Sequence, residues 1–379
     1  MTRCRGRNSM STASYPQPLQ PTSAVHRQAR AATVIITPDG SDAGTLKAMP
    51  NSLETGKFDT GQFAPLFLDA FHRYGREIGL PIVVLVLVLV FSVFSDVFFT
   101  PQNLRNIGVA AAALAAVSFG QTFAILTAGL DLSVGSTVAL VSVVAAYGIR
   151  SYGIGLGIVE GALAGTLVGL INGLVITRLG VFPFIATLAM LSILSGLALN
   201  LSGGIPVSGL PERFGDFAYA TIWGIPAPFV VALVVLAVSH FTLRYTRFGR
   251  QIYAVGGNEE AARLSGIQIN RIKVLAYVFC SFFAAIGSIV LTARVASGQP
   301  TLGVSLPLES VAAVVLGGVS LFGGRGSVIG VAFGVAFVSI LSNGLNLLNV
   351  SSYTQMMVIG AALILAVAMD QLLVRRRNN

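Results

Sequence analysis

Long apolar runs separated by short polar stretches dominate the chain from Gly79 to Val374. The runs are continuous rather than alternating, and each has roughly 17–25 residues, the length of a helix that crosses a hydrocarbon layer of ~30 Å. Because lipid offers the backbone no water, continuous runs of this kind must be helices. We therefore predict an all-α polytopic membrane protein with about ten transmembrane helices. The predicted spans are roughly 80–99, 106–127, 133–149, 154–177, 184–201, 226–243, 273–293, 309–321, 327–347 and 353–373.

The two halves of this apolar region carry similar polar residues at corresponding span ends. GLDLS (129–133) opens the short third span and LPLES (306–310) opens the short eighth. An Asn-Gly pair ends the fourth span at 172–173, and another ends the ninth at 343–344. If spans two to five repeat as spans seven to ten, the second copy runs through the bilayer upside down, since five spans separate the copies. The pattern thus predicts an inverted repeat, the layout of many transporters.

Basic residues predict the orientation of the spans, because Lys and Arg concentrate in short cytoplasmic loops. With the N-terminus inside, 13 basic residues flank the cytoplasmic ends of the spans, against 4 on the outer side. We therefore predict cytoplasmic termini and a cytoplasmic loop between spans six and seven. On the outer side, Tyr219 and Trp223 are predicted to lie at the membrane–water boundary, with contact to an external partner as the alternative.

The region before the first span has a different composition, rich in Ser, Thr, Pro, Gln and Ala. Such a segment cannot bury a core, so residues 1–78 are predicted to be a disordered cytoplasmic tail. No apolar stretch of suitable length follows the basic start, which argues against a cleaved secretory signal. Translation from Met10 or Met49 instead of Met1 is an alternative. The remaining chain is divided into a transmembrane domain, 79–374, which includes the cytoplasmic loop 245–272, and a basic tail, 375–379.

Composition and motifs exclude several classes of protein. With 54% hydrophobic and only 10% charged residues, the chain has too few charges to cover a soluble protein of this length, and the net charge of +9 fits cytoplasmic loops better than nucleic acid. Two cysteines, Cys4 and Cys280, and three scattered histidines indicate neither a disulfide framework nor a metal site. No phosphate-binding G-x-x-x-x-G-K-[ST] loop occurs, and GGRG (323–326) is predicted to be a tight cytoplasmic turn. Energy for transport would therefore come from a partner.

Polar residues near the span ends have two interpretations. Asp131 and Glu309 each precede a short helix, where a carboxylate caps amides and complements the helix dipole, or they line a solute path. Asn and Gln side chains join helices through hydrogen bonds, or they offer both donors and acceptors to a hydroxyl-rich neutral solute. The candidate pathway residues are Asp131, Ser133, Asn172, Asn200, Glu309, Asn343, Asn346 and Gln355.

The loop between spans six and seven contains a short polar helix, GGNEEAARLSGI. Asn258 is a suitable N-cap, Glu259 and Glu260 place negative charge in the first turn, and Gly266 suits the position after the last turn. The helix has only about two turns, roughly 10 Å, and has no stability of its own in water. It either packs on its own spans or docks into a groove of another protein. The docking surface would comprise Ala261, Ala262 and Leu264.

RFGRQIYAVGGNEEAARLSGIQINRIK (247–273) resembles the coupling loop of ABC sugar permeases of the ribose/xylose/galactose type, which are related to branched-chain amino-acid permeases. Further matches follow in chain order and cover most of 79–374. They are GQTFAILTAGLDLSVGS (120–136), GLINGLVITRLGVFPFIATLAM (169–190), LESVAAVVLGGVSLFGGRGSVIG (308–330) and NGLNLLNVSSYTQMMVIGAALILAV (343–367).

The resemblance implies a permease of about ten spans that works in pairs, expected to be a homodimer in the bacterial inner membrane. Such permeases bind a cytoplasmic ATPase, which holds ATP and Mg²⁺, and receive sugar from a periplasmic or extracellular binding protein. This chain would hold no cofactor, metal or catalytic residue and would contact lipid but no nucleic acid. The ATPase-coupling residues implied are Gly256, Gly257, Asn258, Glu259, Glu260, Ala261, Ala262, Arg263, Leu264 and Gly266.

The expected function is import of a monosaccharide, most simply a pentose such as ribose or xylose, by alternating access. Inositol or another polyol is an alternative solute. An ion-coupled secondary transporter is an alternative mechanism, but such proteins use acids buried within the bundle. Here Asp131, Glu160, Glu309 and Asp370 all lie near predicted span ends. A membrane-embedded enzyme ranks last because no catalytic motif is present.

Overall fold

The computed structural model describes residues 63–378, which form a bundle of helices. Within this part of the chain, seven helices are long and apolar enough to cross a membrane, and three shorter apolar helices accompany them. Each of the ten predicted spans coincides with one of these ten helices, so the all-α polytopic fold is confirmed. The elements are α1 Phe63–Phe94, α2 Pro101–Leu126, α3 Val134–Tyr152, α4 Ile154–Arg178, α5 Pro183–Ser202, α6 Glu212–Asp216, β1 Thr221–Ile222, β2 Ile225–Pro226, α7 Ala227–Tyr245, α8 Arg247–Gly257, α9 Glu259–Leu264, α10 Ile269–Val295, α11 Leu306–Leu316, α12 Val328–Leu347 and α13 Ser352–Asn378.

The first helix starts earlier than the sequence analysis predicted. α1 begins at Phe63, so residues 63–78, assigned to a disordered tail, are helical. Phe63, Phe67, Phe71 and Tyr74 recur at helical spacing, a signal that the low-complexity composition of the tail obscured. The rest of the predicted tail lies outside the described residues.

Two other helix ends also differ from the prediction. α13 continues to Asn378 and so includes most of the segment 375–379 that was predicted as a separate basic tail. α11 begins at Leu306, three residues before the predicted start, with Pro307 in its first turn. Proline is favoured there because its missing N–H has no helical partner in the first turn.

Packing between helices follows the predicted repeat. In the first half α3 packs against α4 and α5, and in the second half α11 packs against α12 and α13. Across the halves α2 contacts α11 and α12, while α10 contacts α3 and α4, and α2 and α10 contact each other. Exchanging α2–α5 with α10–α13 converts each of these contacts into another observed contact. This correspondence agrees with an inverted repeat.

The central helices are buried and the peripheral helices are apolar and exposed. Of the most apolar 18 residues of α2, 94% are buried, against 28% in both α4 and α5. Leu163, Ile185 and Ile193 on these outer helices are each at least 60% exposed. A soluble protein does not carry so large an apolar surface, whereas lipid covers it without cost. The protein is therefore a multi-pass membrane protein.

A row of glycines on α4 brings the backbone of α10 into direct contact. A Cβ atom at Gly165 would lie 2.6 Å from the Ala285 Cβ, and a Cβ at Gly169 would overlap the carbonyl oxygen of Tyr277. Small residues at such positions allow close helix packing in membranes. The contact continues to Gly173, which meets Val274 of α10, and so brings the end of α4 that carries Asn172 against α10.

The connections between helices lie on two faces of the bundle. We call one the α8–α9 face; besides these two helices it holds the α2–α3 connection (127–133) and the GGRG turn before α12. The opposite face holds α6 and the β1–β2 hairpin, whose turn residues Trp223 and Gly224 have φ of 52° and 82°. Such positive values at both positions are typical of tight hairpin turns. Trp223 is 97% exposed and Tyr219 is 65% exposed, as a place at a membrane–water boundary requires.

Candidate functional site

The polar stretch between α7 and α10 forms two short helices, of which the sequence analysis separated only the second. The Oδ1 atom of Asn258 accepts a hydrogen bond from the Ala261 amide at 2.9 Å and so caps α9. Gly266 has φ of 79°, and its amide donates to the Arg263 carbonyl at 2.9 Å. The predicted N-cap and the predicted glycine after the last turn are both confirmed.

The preceding helix, α8, carries a signal that could have revealed it. Ile252 and Val255 are buried, while Arg247 and Arg250 on the other side are exposed. This apolar spacing of three residues is that of an amphipathic helix. The hydroxyl of Thr246 accepts from the Gly249 amide at 3.1 Å and begins the helix.

One ion pair attaches α9 to α10, and two more lie within α9. Lys273 in the first turns of α10 contacts the carboxylate of Glu259 at 2.6 Å, and Arg263 lies 3.6 Å from Glu259 and 3.4 Å from Glu260. The Lys273 side chain is only 23% exposed, so water screens its pair with Glu259 less than the two pairs of Arg263. Glu259 and Glu260 therefore help to hold a helix that is too short to be stable alone.

The two sides of α9 face different environments. Ala262 is 3% exposed and belongs to the main hydrophobic core, whereas Ala261 is exposed and Leu264 is 82% exposed. Placing Ala262 on the docking surface was therefore wrong, because its methyl group faces the protein itself. The helix packs on its own spans with one side and leaves the other side free.

The end of α8 packs against the end of α2 and the GGRG turn without intervening side chains. A Cβ atom at Gly256 would overlap the Leu126 carbonyl oxygen and lie 2.6 Å from the Gly324 nitrogen. The same Gly324 amide donates to the Leu126 carbonyl at 2.9 Å. Gly256 is thus an internal packing position, although it was among the candidates for contact with an ATPase. At Gly257, by contrast, a Cβ would meet nothing within 4 Å.

Three of the predicted pathway residues meet in one buried polar group, which we call the Asp131 cluster. Asp131 is fully buried, and its Oδ1 accepts from the Ser133 amide at 2.9 Å and the Ser133 hydroxyl at 2.6 Å. The Nδ2 of Asn172 donates to the Ser133 hydroxyl at 2.9 Å and to the Asp131 Oδ2 at 3.4 Å. Gln121 donates to the Asp131 carbonyl at 3.1 Å, and Cys280 donates to the Gln121 Oε1 at 3.2 Å.

The Asp131 cluster retains unused hydrogen-bonding groups. Among the described residues, the Oδ1 of Asn172 and the hydroxyl of nearby Tyr277 are buried without a hydrogen-bond partner. Buried polar groups are normally paired. Polar groups inside a membrane bundle are costly, and those that are present commonly serve a function. The cluster therefore has spare hydrogen-bonding capacity.

The other five predicted pathway residues do not join this cluster. Asn343 of α12 exchanges two amide hydrogen bonds with Asn103 of α2, at 3.0 and 2.9 Å, which ties the two helices together. Gln355 donates to the Val350 carbonyl at 2.9 Å. Glu309 is half-buried in the first turn of α11, and Asn200 and Asn346 are exposed.

A cleft of about 370 Å³ separates the α2–α3 connection from α8 and α9. Residues 127–129 form one wall, residues 255–259 form another, and Tyr277 and Lys273 of α10 complete it. Gly129 allows the α2–α3 connection to approach Tyr277, since a Cβ there would lie 2.5 Å from the tyrosine hydroxyl. The cleft thus lies between the end of α8, the beginning of α9 and the connection that carries Asp131.

A bundle of ten apolar helices with repeat-like packing and a buried polar cluster is the architecture of a membrane transport protein. The chain belongs to the family described as branched-chain amino acid transport system / permease component, whose model matches residues 103–367. The resemblance to permeases of ABC transporters is therefore confirmed. No solved structure matches the chain at a significant level.

Characterised relatives agree with this assignment. The chain is 40% identical over 323 residues to ribose import permease protein RbsC of Bacillus subtilis, covering 84% of this chain and 99% of the relative. It is 42% identical over 294 residues to RbsC of Escherichia coli K12, covering 76% and 92%. It is 36% identical over 313 residues to L-arabinose transport system permease protein AraH of E. coli K12, covering 82% and 95%.

Proposed function

We propose that this chain is the membrane-spanning subunit of an ATP-binding cassette importer that carries a monosaccharide by alternating access. The observation that supports the proposal most is the division of α9 into a side held by its own protein and a free side. Ala261 and Leu264 on the free side form a small apolar surface that fits a groove of a cytoplasmic ATPase. ATP and Mg²⁺ would be bound by that partner, and this chain would perform no hydrolysis.

The contact of α8 with α2 gives a route from the ATPase to the solute path. A displacement of α9 acts on α8, and α8 meets the Leu126 carbonyl and the GGRG turn through Gly256. Residues 127–133 follow directly after Leu126 and contain Asp131. Movement of the short helices therefore bends the α2–α3 connection, and the cleft beside it opens or closes.

The proposed cargo is a pentose such as ribose. Two relatives that match this chain over almost their whole length are named for ribose import and L-arabinose transport. Inositol or another polyol is the alternative. The amides and hydroxyls of the Asp131 cluster offer donors and acceptors to a neutral hydroxyl-rich solute. The sugar would arrive from a secreted binding protein at the opposite face, and two copies of the permease would enclose the route.

Replacing Ala261 with tryptophan is expected to lower ATPase co-purification and sugar uptake at least about tenfold, the effect of losing 1.4 kcal/mol of docking energy. The fold should be unaffected because the Ala261 side chain is exposed. Affinity purification from membranes and uptake of labelled ribose measure the two effects. Leu163→Trp, a 63% exposed position on the apolar surface of α4 away from both faces, is the control and should retain both. Normal co-purification by Ala261→Trp would contradict the docking role, as would sugar uptake by the purified permease alone in proteoliposomes driven by an ion gradient.

The proposal places the α8–α9 face on the cytoplasmic side of a bacterial inner membrane. In a chain carrying Cys4→Ser and Cys280→Ser, a cysteine at exposed Pro211 should react with an impermeant maleimide in intact cells. A cysteine at exposed Ser265 should react only after lysis. The reverse pattern of labelling would show that the bundle has the opposite orientation.

A further inference from the structure

A second cavity of about 330 Å³ lies on the α8–α9 face, where the end of α7, the helix α8 and the beginning of α12 meet. The hydroxyl of Tyr253 donates to the Gly326 carbonyl at 3.0 Å and joins α8 to the segment before α12. We call this space the α7–α8–α12 cavity. The polar and charged residues that line it are His240, Arg244, Arg250, Tyr253 and Ser327.

Of the residues that the structure describes, two arginines and no acidic residue line the α7–α8–α12 cavity. Among the described residues, no carboxylate lies within ion-pair distance of Arg244 or Arg250, since Glu259 and Glu260 pair with other basic residues. The first turn of α12, a helix of 20 residues, adds the positive end of its dipole from Ser327 and Val328. Two guanidinium groups beside helix amides are a suitable site for a phosphate group.

The same cavity borders a stripe of exposed apolar residues on α7. Val234, Val238, Phe241 and Tyr245 are 56%, 44%, 61% and 64% exposed and follow one side of α7 at helical spacing. The ring of His240, which lines the cavity, packs edge-on against the Tyr245 ring with centroids 6.0 Å apart. Because aromatic residues at the end of a span lie at the level of lipid headgroups, the cavity is at that level too.

We propose that the α7–α8–α12 cavity binds the phosphate headgroup of an anionic phospholipid, with the acyl chains along the exposed stripe of α7. Basic pockets at the ends of transmembrane helices recognise such headgroups, and the adjoining apolar stripe favours a ligand with chains. Inorganic phosphate has the charge but gains nothing from the stripe. The ligand is independent of the transported sugar, so this proposal does not rest on the proposed function.

The full-length protein is incorporated into nanodiscs that contain phosphatidylglycerol in phosphatidylcholine and is then purified in detergent. The test measures how much phosphatidylglycerol stays bound to the purified protein. The double variant Arg244→Gln/Arg250→Gln should retain about a hundredfold less phosphatidylglycerol than the natural protein, since each charge-assisted hydrogen bond from a guanidinium group to the phosphate contributes about tenfold. The control Arg178→Gln/Arg271→Gln removes the same charge from exposed positions on the same face outside the cavity. It should retain the lipid, as should Arg244→Lys/Arg250→Lys, and the gel-filtration profile of each variant reports its folding.

Inorganic phosphate separates the two possible sources of the anion. If the site is for lipid, millimolar phosphate should not displace phosphatidylglycerol, and it should not raise the melting temperature of the detergent-purified protein. The proposal is overturned if both glutamine double variants lose lipid equally or if neither does. It is also overturned if phosphate alone occupies the site and displaces the lipid.

Discussion

Replacing Gly256 with valine is expected to destabilise the protein by about 3 kcal/mol and to reduce uptake to background. A side chain at this position overlaps the Leu126 carbonyl oxygen and approaches the Gly324 nitrogen. Both are backbone atoms, so neither can turn aside as a flexible side chain would. The valine must push α8 away from α2 and from the GGRG turn, which breaks the proposed route from α9 to residues 127–133. Temperature-dependent gel filtration in detergent and uptake of labelled ribose measure the two losses.

The neighbouring glycine provides the matched control. A Cβ at Gly257 meets nothing within 4 Å, so Gly257→Ala should change the melting temperature by no more than a degree or two, as surface substitutions do. If Gly256→Val and Gly257→Ala melt at the same temperature, the close backbone contact described above is not present in the protein. If Gly256→Val is destabilised but transports normally, the contact stabilises the fold and does not transmit movement.

Replacing Asp131 with alanine is expected to lower the free energy of unfolding by about 4 kcal/mol and to abolish uptake. The carboxylate accepts from the Ser133 amide and hydroxyl at 2.9 and 2.6 Å and from the Asn172 amide at 3.4 Å. Each donor left without a partner in a buried site costs about 1–3 kcal/mol, and the hydroxyl alone can rotate to another acceptor. Thermal unfolding in detergent measures the loss of stability, and labelled ribose measures uptake.

Asparagine at position 131 separates hydrogen bonding from charge. Its side-chain oxygen can still accept from Ser133. Its NH₂ group faces the NH₂ group of Asn172, and two donors form no hydrogen bond, so Asp131→Asn should lower the free energy of unfolding by only about 1 kcal/mol. An equal loss in the alanine and asparagine variants would show that the negative charge, and not the hydrogen bonds, maintains the cluster. A melting temperature unchanged in both variants would contradict the buried network.

The spans and the cap of α9 were predictable because their signals are local. A continuous apolar run has the same meaning wherever it occurs, and Asn258 and Gly266 lie within the helix that they begin and end. The start of α1 at Phe63 and the helix α8 were missed although their apolar spacing is also local. In both places polar or low-complexity neighbours hid the spacing.

The membership of the Asp131 cluster could not be predicted, because it depends on contacts between distant parts of the chain. Gln121 and Cys280 are 159 positions apart, and each lies within a largely apolar run. Nothing in either run indicates that α2 and α10 pack together at those points. The same limit explains why Ala262 and Gly256 were expected to contact an ATPase although both face the interior of their own protein. Tertiary packing, and not the sequence pattern, decides which side of each helix faces inward.

Asn172 and Asn343 occupy matching places in the two repeats, yet one joins the Asp131 cluster and the other clasps Asn103. The scaffold is therefore duplicated while its polar chemistry is not. A chimera built from two copies of the first repeat would keep the helical framework and gain a second buried carboxylate, and the second copy of Asn172 would stand where Asn343 now pairs with Asn103. The two ends of the bundle therefore hold different hydrogen-bonding groups although their helices pack alike.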